Sequence, residues 1–167
     1  MPSGFNPKDL AFGTEGRNKL ISGITQIANA VKSTLGPRGN TVLIESQYVT
    51  GGLTVTKDGV TVAKAVDLLD PVENLAVRMM KQAADNTASS AGDGTTTAIV
   101  LTEELVKQGN ELMDETTNRA EVLREIVRET DNVIGNLKKA SKKITSKRLK
   151  DVAIISANND KTIGKVI

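Results

Sequence analysis

The chain has 167 residues, nearly balanced charge (22 Lys and Arg against 20 Asp and Glu, net +2), and no cysteine, histidine or tryptophan. This excludes thiol catalysis, a Ser-His-Asp triad, zinc sites built on Cys or His, and haem ligation through either. Chemistry is left to Asp, Glu, Lys, Ser and Thr or to a metal held by oxygen, in a chain long enough for one ordinary domain.

The start, Met1-Pro2-Ser3-Gly4-Phe5, lacks a basic region followed by an apolar stretch, so no signal peptide is expected. No apolar run approaches bilayer length, and the lack of cysteine fits a reducing compartment, so a cytoplasmic location is expected. From Arg17 to Leu35 apolar residues fall at Leu20, Ile24, Ile27, Val31 and Leu35, which is helical spacing, and Gly36-Pro37 ends the run. Thr41-Val42-Leu43-Ile44 reads as a short strand. The stretch from Leu53 to Val62 alternates hydroxyl and apolar residues around Lys57-Asp58-Gly59, the pattern of a hairpin with an Asp-Gly turn.

Pro71 reads as the first-turn proline of a helix to about Asn86, with Leu75, Met79, Met80 and Ala83 as its buried stripe. A helix follows from Thr95 to about Met113, and a third from about Asn118 to Ala140 with Val122, Leu123, Ile126, Val127, Val133, Ile134 and Leu137 on one face. Val152-Ala153-Ile154-Ile155 is too short to classify by period, and a last helix begins near Asp160. The expected fold is mainly α, with a small β element wedged between helices.

The cations Lys138, Lys139, Lys142, Lys143, Lys147, Arg148 and Lys150 crowd one stretch. The aromatics Phe5, Phe12 and Tyr48 lie far away in sequence, so bases have no stacking platform and no nucleic-acid partner is expected. A solvated helix end is the better account.

Gly92-Asp93-Gly94-Thr95-Thr96-Thr97 is the most informative stretch. A helix leaves its first N–H groups unpaired and carries partial positive charge there. Glycines admit a ligand close to the backbone, threonine hydroxyls add donors, and Asp93 is a hard oxygen ligand for a magnesium ion. The combination suits a polyphosphate. An Asp-Gly turn with a threonine cap is the plain structural alternative.

Three other loops carry polar or glycine residues. Thr34-Leu35-Gly36-Pro37-Arg38-Gly39 reads on spacing alone as a helix stop and a turn, although Gly36 could bring bare backbone against a nucleotide. Thr56-Lys57-Asp58-Gly59 favours the hairpin turn, although an aspartate beside a phosphate could orient an attacking water. Ile155-Ser156-Ala157-Asn158-Asn159 reads as a polar turn. The chain has no Gly-x-x-x-x-Gly-Lys-Ser/Thr loop, and Thr97 breaks any Gly-x-Gly-x-x-Gly run.

Taken in order, these segments resemble the amino-terminal part of a group I chaperonin, the GroEL family. The likeness runs through Ala11-Phe12-Gly13, Leu35-Gly36-Pro37-Arg38-Gly39-Asn40, Thr56-Lys57-Asp58-Gly59-Val60, Ala91 to Ala98, Ile155-Ser156-Ala157-Asn158 and Thr162-Ile163-Gly164-Lys165. The Gly-Asp-Gly-Thr-Thr element is shared with archaeal and eukaryotic cytosolic chaperonins. The strings at 57–60 and 155–158 look closer to the bacterial and organellar group.

The resemblance implies an ATP-binding, ATP-hydrolysing subunit of a homo-oligomeric ring that assists folding of client proteins. Thr34, Leu35, Gly36 and Pro37 would line the nucleotide pocket, and Asp93 would hold Mg²⁺. Gly94, Thr95, Thr96 and Thr97 would hold the phosphates, and Asp58 would position the hydrolytic water. Lys57 would sit in the strand entering the pocket, near a K⁺ ion, and Ile155 would approach the nucleotide from the next domain. Residues 1–139 would be the first segment of the equatorial ATPase domain and 140–167 the start of the intermediate domain.

A complete subunit of that family is more than three times this length, so clients and co-chaperonin would meet parts outside these residues. The chain by itself is expected not to turn nucleotide over. The competing expectation is a truncated, non-enzymatic chaperonin-like assembly module.

Overall fold

The computed structural model describes residues 9–36, 38–46, 52–157 and 159–167, which form two units, Met1–Glu115 and Thr116–Ile167. In the first unit, α1 (Gly13–Lys32) begins before the expected Arg17 and stops short of Leu35. The turn after it is closed by its own backbone: Thr34 N–H donates to Val31 at 3.0 Å, Leu35 N–H to Lys32 at 3.1 Å and Asn40 N–H to Ser33 at 2.7 Å.

Strands β1 (Val42–Glu45) and β2 (Leu53–Thr56) pair antiparallel, with Val42 opposite Thr56 and Glu45 opposite Leu53. The expected hairpin across Lys57-Asp58-Gly59 does not form. Residues from Gly59 to Ala65 are helix α2, and β2 takes β1 as its partner instead. The reason is the Asp58 carboxylate, which accepts from the amides of Val60 and Thr61 and so caps a helix where a turn into a strand was expected.

Helix α3 (Pro71–Ala91) starts as its sequence requires, with the Asp70 carboxylate on the amides of Val72 and Glu73 and proline in the first turn. Lys19 of α1 donates to the same carboxylate at 2.8 Å. The buried stripe of α3 is Ala76, Val77, Met80 and Ala84, not the expected Leu75, Met79, Met80 and Ala83: Met80 is shared, whereas Leu75 and Met79 are exposed. Small side chains let α1 and α3 approach closely, so the alanines mark the contact and the larger residues fall to its side.

Helix α4 (Thr95–Leu112) packs on α1, α3 and α2. Ile27, Ala28 and Val31 of α1, Val62 and Ala63 of α2, Val77, Met80 and Ala84 of α3, and Ile99 of α4 form one buried cluster. Each fully buried valine or isoleucine contributes about 1.5–3 kcal/mol of transfer free energy, so this cluster holds the four helices together.

In the second unit, α5 (Arg119–Ala140) is capped by Asn118, whose side chain accepts from the Glu121 amide. Its expected apolar face exists but none of its residues is buried. The unclassified residues 152–155 lie in α6 (Ser146–Ser156), which packs on α7 (Lys161–Val166). Asp160 caps α7, as expected for a helix starting there. Among the described residues, no helix is long and apolar enough to cross a membrane.

Candidate functional site

The turn between α3 and α4 is made by two glycines that flank one carboxylate. Gly92, at φ 73°, closes α3, and Gly94, at φ 86°, opens α4. A β-carbon on either would meet open space, so the glycines are required by backbone conformation and not by crowding. This double left-handed bend reverses the chain and leaves Asp93 exposed at the helix start.

Helices α2, α3, α5 and α7 each have a side-chain cap on their first-turn amides, whereas α4, like α1 and α6, has none. Its first intrahelical bond runs from Ala98 N–H to the Gly94 carbonyl at 2.9 Å. The amides of Thr95, Thr96 and Thr97 are the orphan donors that precede it, at the positive end of an 18-residue helix.

Thr95, Thr96 and Thr97 line a cleft of about 270 Å³. Its lining comes from three stretches far apart in sequence: Thr34, Leu35 and Gly36 after α1; Asp58 and Val60 at the start of α2; and Gly92 to Thr97 with Ala88 between α3 and α4. The α2 wall is held against the α4 wall by Gly59, which lies against Thr96 and Val31 with no room for a β-carbon. The cleft is just below the span of about 300–1,000 Å³ common for pockets that enclose a small molecule, which suits the phosphate end of a ligand.

Two carboxylates stand at its edges. Asp93 accepts from the Gly94 amide through Oδ1 at 2.6 Å, and among the described residues Oδ2 has no donor. Asp58 is more occupied: Oδ2 accepts from the Thr61 amide at 2.9 Å and its hydroxyl at 2.6 Å, and Oδ1 from the Val60 amide at 3.3 Å. Partial desolvation would raise the Asp58 carboxyl, but the Thr61 hydroxyl, these amides and the charge of Lys64 outweigh it, and the group lies below the usual aspartate value. It is therefore ionised at neutral pH.

No group of three or more acidic side chains that could hold a cation exists among the described residues. A magnesium ion, which takes one or two carboxylates together with substrate phosphates, fits such a site; an ion needing an all-protein cage does not. The donor set suits an anion, with one carboxylate oxygen unpaired among the described residues beside it.

The profile of the TCP-1/cpn60 chaperonin family matches residues 27–167, the part of the chain that contains every wall of this cleft. The chain belongs to that family. Among solved chaperonins, gp146 from the bacteriophage EL 2 (Pseudomonas aeruginosa), crystallised in the presence of ATP-BeFx, superposes with a TM-score of 0.79 at 29% identity over 92% of this chain. A second crystal form of gp146 gives 0.78. A group III chaperonin in the open state gives 0.72 at 27% identity over 89%. The chain spans 27% of the length of gp146 and 30% of that of the group III protein. Its mainly helical body with a two-stranded sheet has the fold of a chaperonin equatorial domain.

Of the residues singled out in the sequence, the chaperonin fold brings Thr34, Leu35, Gly36, Asp58, Asp93, Gly94, Thr95, Thr96 and Thr97 to one cleft. Lys57 is exposed beside it and is not among its lining residues. Ile155 belongs to α6 of the second unit, and Pro37 lies outside the described residues. Val60 and Ala88 line the cleft without having been expected. Ala88 stands one helical turn before Gly92, and that spacing is the only signal that could have found it.

Proposed function

We propose that the chain is the amino-terminal, nucleotide-binding part of an ATP-dependent chaperonin subunit of group I type. The supporting observation is the convergence of residues 34–36, 58–60 and 92–97 around an uncapped helix start with a free carboxylate oxygen beside it. In this reading the amides and hydroxyls of Thr95, Thr96 and Thr97 bind the phosphates, and Gly36 and Leu35 flank the nucleotide. Asp93 would hold Mg²⁺, which when bound would supply charge neutralisation at the phosphates. Asp58, ionised and fixed by its own capping bonds, accepts a hydrogen bond from the attacking water and orients it. Lys57, at the cleft's edge, is the residue nearest in sequence where a K⁺ ion would assist.

The whole subunit would work in the cytoplasm as a homo-oligomeric ring, and ATP would bias a two-state movement that serves client proteins and a co-chaperonin. In this reading residues 1–139 belong to the equatorial domain and 140–167, with Ile155, to the start of the intermediate domain. This chain by itself would not turn nucleotide over.

Calorimetric titration of the full chain with ATP, with and without Mg²⁺, tests the reading. Mg-dependent binding that Asp93→Asn removes is expected. Binding indifferent both to Mg²⁺ and to Asp93→Asn would overturn it.

A further inference from the structure

Glu103 is the only charged side chain in the buried class among the described residues, with 0% exposure. It continues the inward stripe of α4, Thr95, Ile99 and Glu103, at successive turns. A carboxylate there must be neutralised, and two lysines do so from different helices. Lys107, one turn further along α4, donates to Oε1 at 2.7 Å. Lys32, the last residue of α1, pairs with Oε2.

The two lysines differ in what they connect. The Lys107 bond stays within α4. The Lys32 ion pair crosses to α1 at the point where that helix ends, and the cleft-lining Thr34, Leu35 and Gly36 follow at once. The opposite wall is the first turn of α4, two turns from Glu103 on the same face. A methionine would fill an apolar seat at least as stably, since buried ion pairs seldom exceed well-packed hydrophobic replacements. What apolar packing lacks is direction: a contact between greasy surfaces slides, whereas a doubly paired carboxylate fixes register.

We infer that Glu103 is a positioning residue, which through Lys32 sets the 34–36 bend against the amides at the start of α4. The consequence for ATP rests on the nucleotide reading above; the consequence for the two walls does not.

The test uses the full chain with Lys32→Met, Lys107→Met and Glu103→Met. Three quantities are read: the denaturation midpoint, amide hydrogen exchange at residues 34–36 and 95–97 without nucleotide, and Mg-ATP affinity. Each lysine replacement leaves Glu103 one partner, so these two variants keep the fold. Lys32→Met speeds exchange at 34–36 and weakens Mg-ATP roughly three- to thirty-fold, the span of measured coupling effects. Lys107→Met does neither. Glu103→Met keeps the native midpoint but matches Lys32→Met in exchange and affinity.

Equal effects of the two lysine replacements on exchange at 34–36, or native exchange in Glu103→Met, would overturn the inference. If the unmodified chain fails to bind Mg-ATP while the exchange pattern appears as stated, the nucleotide reading is refuted and the positioning role stands.

Discussion

Gly59 at the start of α2 lies against the side chain of Thr96 in the first turn of α4, so closely that a β-carbon on it would run into the threonine hydroxyl oxygen and touch Val31. Two helix starts, 37 positions apart in sequence numbering (96 minus 59), are thereby held together at the cleft. Gly59→Ala must push Thr96 out of its rotamer, at about 1–3 kcal/mol. Thr96→Ala removes the obstructing oxygen, so the double variant should be more stable than Gly59→Ala alone. Urea midpoints of the four proteins in the cycle give the coupling directly.

Asp58 has a structural duty separable from any role toward water. Its cap on α2 is lost in Asp58→Ala, at about 1 kcal/mol, but largely kept in Asp58→Asn, since asparagine caps as well as aspartate. In a complete subunit both variants should slow hydrolysis, whereas the alanine variant should lower the melting temperature of this chain more than the asparagine variant does. Unchanged turnover in Asp58→Asn would remove its proposed role.

The same residue gives a pH dependence. Its folded value lies below the ordinary one, so the charged cap stabilises fully above about pH 4 and its contribution is lost as pH falls through the folded value. The stability difference between native chain and Asp58→Ala should therefore be constant at neutral pH and shrink in acid. Paired denaturation curves from pH 7 to pH 3 read this out.

Gly92→Ala and Gly94→Ala should each cost about 1–3 kcal/mol, although neither methyl meets an obstacle, because the cost is that of a left-handed backbone on a β-substituted residue. Asparagine tolerates this region better, so Gly94→Asn should lose less. Thermal melts that rank Gly94 above Gly94→Asn above Gly94→Ala support this; identical melting temperatures would refute it.

Helices α1, α3, α4, α5 and α7 were legible in the residues because their signals are local, whereas α2 and α6 were not. Asp70-Pro71 starts α3, threonines head α4, Asp160 starts α7, and the Gly92-Asp93-Gly94 bend needs only the two positive φ angles that glycine supplies. The unpaired amides proposed here to bind phosphate were equally local, since they follow from the geometry of one helix end.

Neighbours distant in the chain decided the rest. The hairpin expected at Asp58-Gly59 failed because alternation cannot tell a strand returning on β2 from a helix whose first turn an aspartate caps. The buried stripe of α3 was set by how closely α1 approaches, so alanines were chosen over Leu75 and Met79. Glu103 reads in sequence as an ordinary surface acid four residues before a lysine. Only the arrival of α1, with Lys32 at its end, made it a buried ion-paired centre, because burial and charge compensation depend on what a fold places opposite a residue and not on the residues beside it.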